Sequence, residues 1–398
     1  MPTARPCPLT IRVARSISEI EEIRETWTAW QSHPTSDIDN FLLILRSRPE
    51  IERPHVMVVY RDGQLDTILV GRLETTQLSF KVGYCGLFRP QARVLCFMHG
   101  GLFGNESAEN SGFLVREIGK CLSQGEADIA RFEHHRTDSF LAKAANDVPG
   151  IFSRDHFAPT ELHGAVRLPE TYEDFLRSLS RKERHNFNRC TNKMQNDFPG
   201  EIRIQCFREE NQIEELVRIT EEVAKKTYQR GLGVGFRDNA ETRDWLRMAA
   251  QKGTLRACML FIKDQPCAFM IGKQYQHTLH GDFMGYDPQY HEYSPGSQLL
   301  LHWIQDAFAP NGHEKISEID LGFGDARYKR AIFTHTWQES VFYIFAPTFK
   351  GLALNFQITL TRLVNRSIKN MLKSSGSLEA VKKFWRSAVR VSQRQPSA

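Results

Sequence analysis

The sequence predicts a mixed α/β fold that occurs twice along the chain. Two β-hairpins of the same shape, at residues 55–74 and 255–275, each join two apolar strands through a short polar turn. After each hairpin the chain alternates between apolar strands and amphipathic helices, which is typical of a sheet covered by helices and not of a sandwich or a bundle. Because both halves follow the same order of elements, we expect a duplicated domain.

In the first half, an Asp-Gly pair inside RDGQ predicts the tight turn of the hairpin. The segments that follow it are predicted as a strand at 94–103, a helix at 111–123, a strand at 127–135 and a short helix at 139–147.

The second half begins with two helical segments, 168–197 and 207–231. After the hairpin we expect a strand at 277–287, a helix at 294–309, a strand at 317–324, a helix at 325–332 and a strand at 340–346. These segments predict domains at 1–167 and 168–348 and a helical tail at 349–398.

The cysteines and histidines show no metal-binding pattern. None of the eight cysteines forms C-x-x-C or stands at zinc-finger spacing with histidine, and the fourteen histidines include no H-E-x-x-H. We therefore expect reduced, buried thiols and no metal. The N-terminus lacks the apolar core of a signal peptide, and no apolar run reaches the ~18 residues of a membrane span, which predicts a cytoplasmic protein.

The positive charge is concentrated at the C-terminal end. The chain has a formal charge of +5, whereas residues 350–398 hold ten Lys/Arg against one acid. The rest of the chain is thus slightly acidic, so we expect no nucleic-acid partner. Apolar residues at helical spacing make this tail a basic amphipathic helix. It is expected either to contact the inner face of the membrane peripherally or to pack on the body or on a second subunit as a dimer contact.

The segment SPGS predicts the start of a helix. Ser294 is a suitable N-cap and Pro295 suits the first helical position, because its missing N–H would be unpaired there. The N–H groups of Gly296, Ser297 and Gln298 would then be free to bind an anion at the positive end of the helix dipole. The alternative is an ordinary helix cap.

Other segments carry candidate chemistry. In LGFGDARYKR, Tyr328 can donate a proton, Lys329 can pair with phosphate, and Asp325 can cap the helix. Strand alternation places His280, Asp282 and Met284 on one face, where His280 or Asp282 could serve as a general base. Further candidates for binding an acidic substrate are Arg181, His185 and Arg189, which share a helix face. Asp320, one strand away from His280, could bind the acceptor together with Asp325. Structural roles remain open for all of them.

Residues 170–335 resemble the CelD/BcsL-type acetyltransferases (the BioF-type acetyltransferase domain), a branch of the GNAT superfamily. The matching segments, in order, are LSRKERHNFNR, TYQRG, QPCAFMIG, GYDPQYHEYSPGSQLL and IDLGFGDARYKR. The first half looks like the degenerate partner repeat of tandem GNAT proteins, which include the related FemABX group.

The resemblance implies acetyl-CoA or another acyl-CoA as donor and an amine or hydroxyl acceptor, a small molecule or a saccharide of the cell envelope or exopolysaccharide. It also implies pyrophosphate binding at Gly296, Ser297 and Gln298, and protonation of the leaving thiolate by Tyr328. The GNAT phosphate signature, Q/R-x-x-G-x-G/A, is altered here, with Tyr293 at its first position and Gln298 at its last. A FemABX-like transferase that uses aminoacyl-tRNA and a degenerate GNAT scaffold are the alternatives.

Overall fold

The computed structural model describes residues 8–83, 85–231, 234–309, 314–324 and 326–375. Its strands are β1 (Leu9–Ala14), β2 (Ile51–Pro54), β3 (Val56–Arg61), β4 (Gln64–Gln77), β5 (Phe80–Val82), β6 (Cys85–Phe88), β7 (Gln91–Gly104), β8 (Ile129–Arg136), β9 (Thr160–Arg167), β10 (Ile202–Phe207), β11 (Leu255–Ile262), β12 (Gln265–Tyr275), β13 (Thr278–Tyr286), β14 (Glu318–Phe323) and β15 (His335–Phe345).

Its helices are α1 (Ile17–Glu21), α2 (Arg24–Trp30), α3 (Ile38–Ser47), α4 (Ala108–Ser123), α5 (Phe140–Asp147), α6 (Tyr172–Ser178), α7 (Arg181–Asp197), α8 (Ile213–Ala224), α9 (Tyr228–Gly231), α10 (Ala240–Gln251), α11 (Pro295–Asp306), α12 (Arg327–Arg330) and α13 (Phe349–Ser374). Three short 3-10 helices lie at Ile151–Ser153, Glu210–Gln212 and Pro288–Tyr293.

The described chain divides into two compact units. Unit 1 comprises residues 8–161 and 338–375, and unit 2 comprises residues 162–337. The predicted second domain spans 168–348. Unit 2 instead starts six residues earlier and ends at residue 337, so that the strand expected at 340–346 and the helix expected to begin a separate tail both belong to unit 1.

The two units repeat one strand order, which confirms the predicted duplication of a mixed α/β fold. In unit 1 the strands follow the order β1-β3-β4-β7-β8-β15, and β7 and β8 are parallel. In unit 2 they follow the order β10-β11-β12-β13-β14-β9, and β13 and β14 are parallel. In each unit a helix, α4 or α11, connects the parallel pair, because parallel strands need a crossover connection.

Both predicted hairpins have two-residue turns. Asp62 and Gly63 adopt φ values of 51° and 76°, and Lys263 and Asp264 adopt 50° and 57°. Positive φ at both turn positions matches the twist of antiparallel strands. The Asp-Gly turn was recognisable in the sequence, whereas Lys-Asp is an uncommon pair for such a turn.

Unit 2 buries apolar side chains on both faces of its sheet. On one face α11 contributes Leu299, Leu300, Trp303 and Ile304, each at most 1% exposed. The buried indole N–H of Trp303 donates to the carbonyl oxygen of Arg256 at 3.2 Å, which satisfies its polar group. On the other face α8 and α10 pack against β11 and β12. The sheet of unit 2 is therefore covered by helices on both faces.

The thiol prediction is wrong for one pair of cysteines. Cys206 on β10 and Cys258 on β11 are directly opposite in the antiparallel register, and their sulfur atoms form a disulfide. Cross-strand neighbours of this kind bring their Cβ atoms close enough for a bond. The other described cysteines with defined burial, Cys96, Cys121, Cys190 and Cys267, are free and buried.

Helix α13 confirms the predicted helix at the start of the tail. Leu354 and Ile358 are buried against a cluster of unit 1 that includes Phe80. The second predicted basic segment, beyond residue 375, lies outside the described residues. Among the helices that the structure describes, none combines the length and the apolar character needed to cross a membrane.

Candidate functional site

The parallel strands β13 and β14 diverge at their carboxyl ends. They pair over three positions, the last of which joins His280 to Asp320. Beyond that point β13 remains paired with β12 as far as Tyr286, whereas β14 pairs irregularly with β9. Two neighbouring strands that separate in this way open a gap in the sheet, and His280 and Asp320 lie where it begins.

His280 and a second histidine, His163, lie on either side of the Asp320 carboxylate. Nδ1 of His280 lies 3.5 Å from Oδ2 of Asp320, and Nε2 of His163 lies 2.7 Å from Oδ1 of Asp320. His163 is 2% exposed on β9, and its ring stacks on Trp337 at 4.3 Å between centroids. The carboxylate is therefore held by a fixed histidine on one side and faces His280 with its other oxygen.

The protein keeps Asp320 ionised. Burial disfavours its charge, but the hydrogen bonds and charges of His163 and His280 outweigh burial and hold the pKa of Asp320 well below its usual value. The backbone N–H of Gly322 also donates to Oδ1 at 2.6 Å. Gly322 can make this bond because it adopts φ 71°, which a residue with a side chain rarely does.

An ionised carboxylate beside an imidazole has a definite chemical use. Asp320 favours the tautomer of His280 that carries its proton on Nδ1, and in that tautomer Nε2 is the ring nitrogen that can accept a proton. The sequence suggested His280 and Asp320 as separate candidates, and the structure brings them together. His163 escaped the sequence analysis, because a single histidine in a strand 157 residues before Asp320 gives no sign of that contact.

Lys273 was also missed. It is opposite His280 in the β12–β13 register, so the two side chains share one face of the sheet. Its side chain is 8% exposed, with Nζ 4.7 Å from the centre of the Trp245 ring. The signal in the sequence was a lysine inside the apolar strand CAFMIGKQY, because a lysine is seldom buried without a specific role.

The predicted alternation along β13 is wrong beyond His280. A β-bulge interrupts the register between Gly281 and Phe283, so that Asp282 has no partner on β12. Met284 packs with the α11 core, on the face opposite His280. Solvent reaches Asp282, yet desolvation by the surrounding protein raises the pKa of its carboxyl, an effect that Lys273 and His280 partly oppose. A bulge cannot be recognised from the polar and apolar pattern alone.

Two of the predicted site residues, Tyr328 and Lys329, lie in the segment that follows β14. Tyr328 on α12 is half-buried and packs against the α11 core. The ammonium of Lys329 donates to the carbonyl oxygens of Leu321 at 2.5 Å and Phe323 at 3.1 Å, and burial lowers its pKa. Lys329 thus holds the end of β14 in this structure and does not point at a phosphate. The predicted residue Asp325 lies outside the described residues.

The start of α11 differs from the expected cap. Ser294 stands at the predicted N-cap position before Pro295, but it adopts a left-handed conformation, with φ and ψ both 50°, and its side chain makes no cap hydrogen bond. The N–H groups of Ser297 and Gln298 were expected to be free, but both donate to the Ser294 carbonyl oxygen, at 2.9 and 3.2 Å. Of the three expected donors, Gly296 is the one that this carbonyl does not use.

Side chains of α7 and α11 also join near this helix start. The Gln298 side chain accepts from Thr191 at 2.5 Å and donates to the Phe187 carbonyl oxygen at 3.3 Å. Tyr293 donates to Asp197 at 2.9 Å. The residues that depart from the phosphate signature of GNAT proteins, Tyr293 and Gln298, are therefore used here to join the helix start to α7.

The three basic candidates on α7 lie together on its solvent side. Arg181, His185 and Arg189 are all exposed, as their helical spacing predicted. Phe187, Cys190 and Met194 are buried on the opposite side of the helix. This face is accessible to an acidic molecule, and its role in binding remains a prediction.

Comparison with known proteins agrees with this architecture. The family model described as an acetyltransferase (GNAT) domain matches residues 181–330. No curated protein matches the chain. Among solved structures, FemX is similar with a TM-score of 0.51 and 8% identity over 82% of this chain and 95% of that chain. At that identity the similarity shows the fold.

Two further structures have lower TM-scores. A tandem GNAT protein from the clavulanic acid biosynthesis pathway gives 0.49, with 11% identity over 86% of this chain and 99% of that chain. A conserved protein of unknown function from Bacteroides thetaiotaomicron gives 0.48, with 11% identity over 84% of this chain and all of that chain. The acetyltransferase (GNAT) domain model matches residues 181–330, and this match supports an acyltransferase.

Proposed function

We propose that the protein transfers an acyl group from an acyl-CoA thioester to an amine or hydroxyl group, with His280 as general base. The observation that carries this proposal is the His280–Asp320 pair at the point where β13 and β14 separate. In a GNAT domain, whose chemistry is acyl transfer, a base at this point is suitably located to activate an acceptor.

The proposed reaction follows from the properties of these side chains. Nε2 of His280 takes the proton of the acceptor, and Asp320 stabilises the resulting imidazolium from the Nδ1 side. The acceptor nitrogen or oxygen forms a bond to the thioester carbonyl carbon, and the carbon–sulfur bond breaks. Tyr328 then gives a proton to the departing thiolate. Direct transfer of this kind needs no covalent acyl-enzyme.

The start of α11 fits the donor in part. Gly296 has no side chain, but it is buried, and a Cβ atom there would already contact the ring of Tyr286 at 3.5 Å. The N–H groups of Ser297 and Gln298 are already used. We therefore assign one backbone donor to the pyrophosphate of acyl-CoA, together with the positive end of the α11 dipole. A saccharide of the cell envelope or exopolysaccharide remains the proposed acceptor class.

The occupied N–H groups at the start of α11 support a second candidate donor, an aminoacyl-tRNA. A helix start with two of three donors occupied, and with Tyr293 bound to Asp197, is a weaker pyrophosphate site than the GNAT signature would provide. A donor that carries its acyl group on an ester, and has no pyrophosphate to place there, needs no such site. A scaffold without activity is the third reading.

One assay separates the three. The purified chain is incubated with acetyl-CoA or longer acyl-CoA and a panel of amino sugars, amino acids, polyamines and saccharides, and release of the CoA thiol is followed. We expect release that depends on one acceptor class and falls at least about a hundredfold in His280→Gln, since general bases contribute 10²–10⁴-fold. An Arg46→Gln variant, exposed on α3, serves as control.

The alternatives predict other results. Transfer from aminoacyl-tRNA that RNase abolishes, without thiol release from any acyl-CoA, would support the second candidate. No transfer from either donor, together with calorimetric binding of acetyl-CoA no tighter than about millimolar, would favour the scaffold.

A further inference from the structure

Helix α13 turns an apolar face towards solvent. From Phe349 to Leu363 the exposed residues occur at spacings of three and four, and Met371 follows about two turns later, which places them along one side of the helix. They are Phe349 (91% exposed), Leu352, Phe356 (67%), Leu360, Leu363 and Met371 (70%). An amphipathic helix of a globular unit normally buries such a side, so this arrangement is the reverse of the usual one.

Specific contacts of unit 1 fix the orientation of the helix. Leu354 and Ile358, on the opposite side, are buried. The amide of Asn355 donates to the carbonyl oxygen of Phe152 at 2.7 Å, and the amide of Asn365 donates to that of Lys81 at 2.8 Å. Because both asparagines are hydrogen-bonded to the body, the helix is held with its apolar side outward.

The apolar surface extends beyond the helix. Ile151 and Phe152, in the 3-10 helix that Asn355 contacts, are 63% and 74% exposed. We call these two residues and the exposed side of α13 the outward surface. Contiguous apolar surface of this kind marks a binding face, because isolated exposed apolar residues are ordinary whereas patches are not.

The charges of α13 select the partner of the outward surface. Helix α13 contains five basic residues and no acid. Two of the bases are paired with the body, Lys350 with Asp128 and Arg362 with Asp155. Arg366 and Lys369 are exposed and have no acidic partner within the part of the chain that the structure describes.

A second copy of the chain is a poor match for this helix. Two copies of α13 packed face to face would bring together positive charges with no acid on either helix, and like charges at an interface are unfavourable. A membrane surface that contains anionic lipid offers an apolar layer for the phenylalanines and negative headgroups for the bases. We propose that the outward surface docks the protein on an anionic lipid bilayer, with α13 lying in the plane of the interface.

Vesicle co-sedimentation of the full chain tests this proposal. Vesicles of phosphatidylcholine mixed with the anionic lipid phosphatidylglycerol are compared with pure phosphatidylcholine. We expect binding to the anionic vesicles alone. The double variant Arg366→Gln/Lys369→Gln should lower the partition coefficient about thirty-fold, at about 1 kcal/mol per base. The matched control is Arg46→Gln/Lys143→Gln, which removes two exposed charges elsewhere in unit 1.

A second pair of variants tests the apolar side. Phe356→Ser/Leu360→Ser should lower partitioning at least about a hundredfold, since each side chain loses about 1.5–3 kcal/mol of burial. Ile17→Ser/Val234→Ser, which alters exposed apolar residues outside α13, should not lower it. These positions are exposed, so circular dichroism should show all variants folded.

Three results would overturn the proposal. The first is equal partitioning of the wild type and both α13 variants. The second is loss of binding on truncation after Ser375 while the α13 variants still bind, which would assign binding to the last residues of the chain. The third is a concentration-dependent dimer that the Phe356→Ser/Leu360→Ser variant abolishes, without vesicle binding by the wild type. None of these outcomes depends on the proposed acyl transfer.

Discussion

Replacement of Asp320 by asparagine tests the proposed site most directly. The amide keeps the size of the carboxylate, so the contacts that depend on shape remain. Oxygen Oδ1 accepts from the N–H of Gly322 at 2.6 Å and lies 2.7 Å from Nε2 of His163. The asparagine oxygen must stay on that side to accept from Gly322, and its NH₂ group then faces Nδ1 of His280, which lies 3.5 Å from the other oxygen.

That orientation selects the wrong tautomer of His280. An NH₂ group can only donate, so Nδ1 must accept, and the ring proton moves to Nε2. A protonated Nε2 cannot take a proton from the acceptor. We expect kcat to fall by about 10²–10⁴, the contribution of a general base, which corresponds to roughly 3–5 kcal/mol of transition-state stabilisation.

Thiol release with the best acceptor of the panel measures this effect. Asp282→Asn serves as a matched control, because the Asp282 carboxyl lies at the bulge of β13 and, unlike that of Asp320, not between two histidines. We expect the control to lose less than about tenfold, since a general base accounts for more than that. A rate for Asp320→Asn within about threefold of the wild type, in a folded variant, would refute the role assigned to this pair.

Three further predictions concern a catalytic acid, packing and pH. Tyr328→Phe should lower kcat about a hundredfold at neutral pH if its hydroxyl protonates the leaving thiolate, and an unchanged rate would remove it from the mechanism. Gly272→Ala should cost about 1–3 kcal/mol in urea unfolding, because the added Cβ would lie 2.0 Å from the His280 carbonyl oxygen; a loss below about 0.5 kcal/mol would contradict this packing.

For His135, burial lowers the pKa to about 3 from 6.5, with His99 and His134 adding to the shift and Glu339 opposing it. The unfolded chain therefore binds a proton below pH 6.5 that the native chain does not, and stability falls as the pH falls from 6.5 towards 3. Between pH 6.5 and 4.5 the free energy of unfolding should fall by about 2–3 kcal/mol less in His135→Gln than in the wild type. Urea titrations at both pH values would measure this difference. An equal fall of the unfolding free energy in the variant and the wild type would contradict the role of His135 in this pH dependence.

The sequence predicted those parts of the fold that depend on local periodicity. Leu299 to Ile304 repeat with the period of a helix, and burial of that stripe was foreseeable. The Asp62-Gly63 turn was recognisable because few residue pairs tolerate positive φ at both positions. The repeat of hairpin, strand, helix and strand likewise indicated two similar units, and the strand orders confirm it.

The site was predictable only in part, because its geometry depends on long-range pairing. His280 and Asp320 were both candidates, yet their contact follows from a parallel register that no short segment specifies. His163 reaches Asp320 from a strand far earlier in the chain. Ser294 resembled an N-cap, but the preceding 3-10 helix forces it into a left-handed conformation. Here the tertiary context outweighs the local preference of the residue.

The insertion of unit 2 within unit 1 has a consequence for how the protein is made. Unit 2 is contiguous and can leave the ribosome complete, whereas unit 1 receives β15 and α13 only at the end of synthesis. Until then β8 lacks the antiparallel neighbour that follows it in the sheet, and Phe345, Leu354 and Ile358 are absent from their cluster. The half translated first is therefore the half that folds last, and a stop codon after residue 161 would yield a nascent domain with an open strand edge.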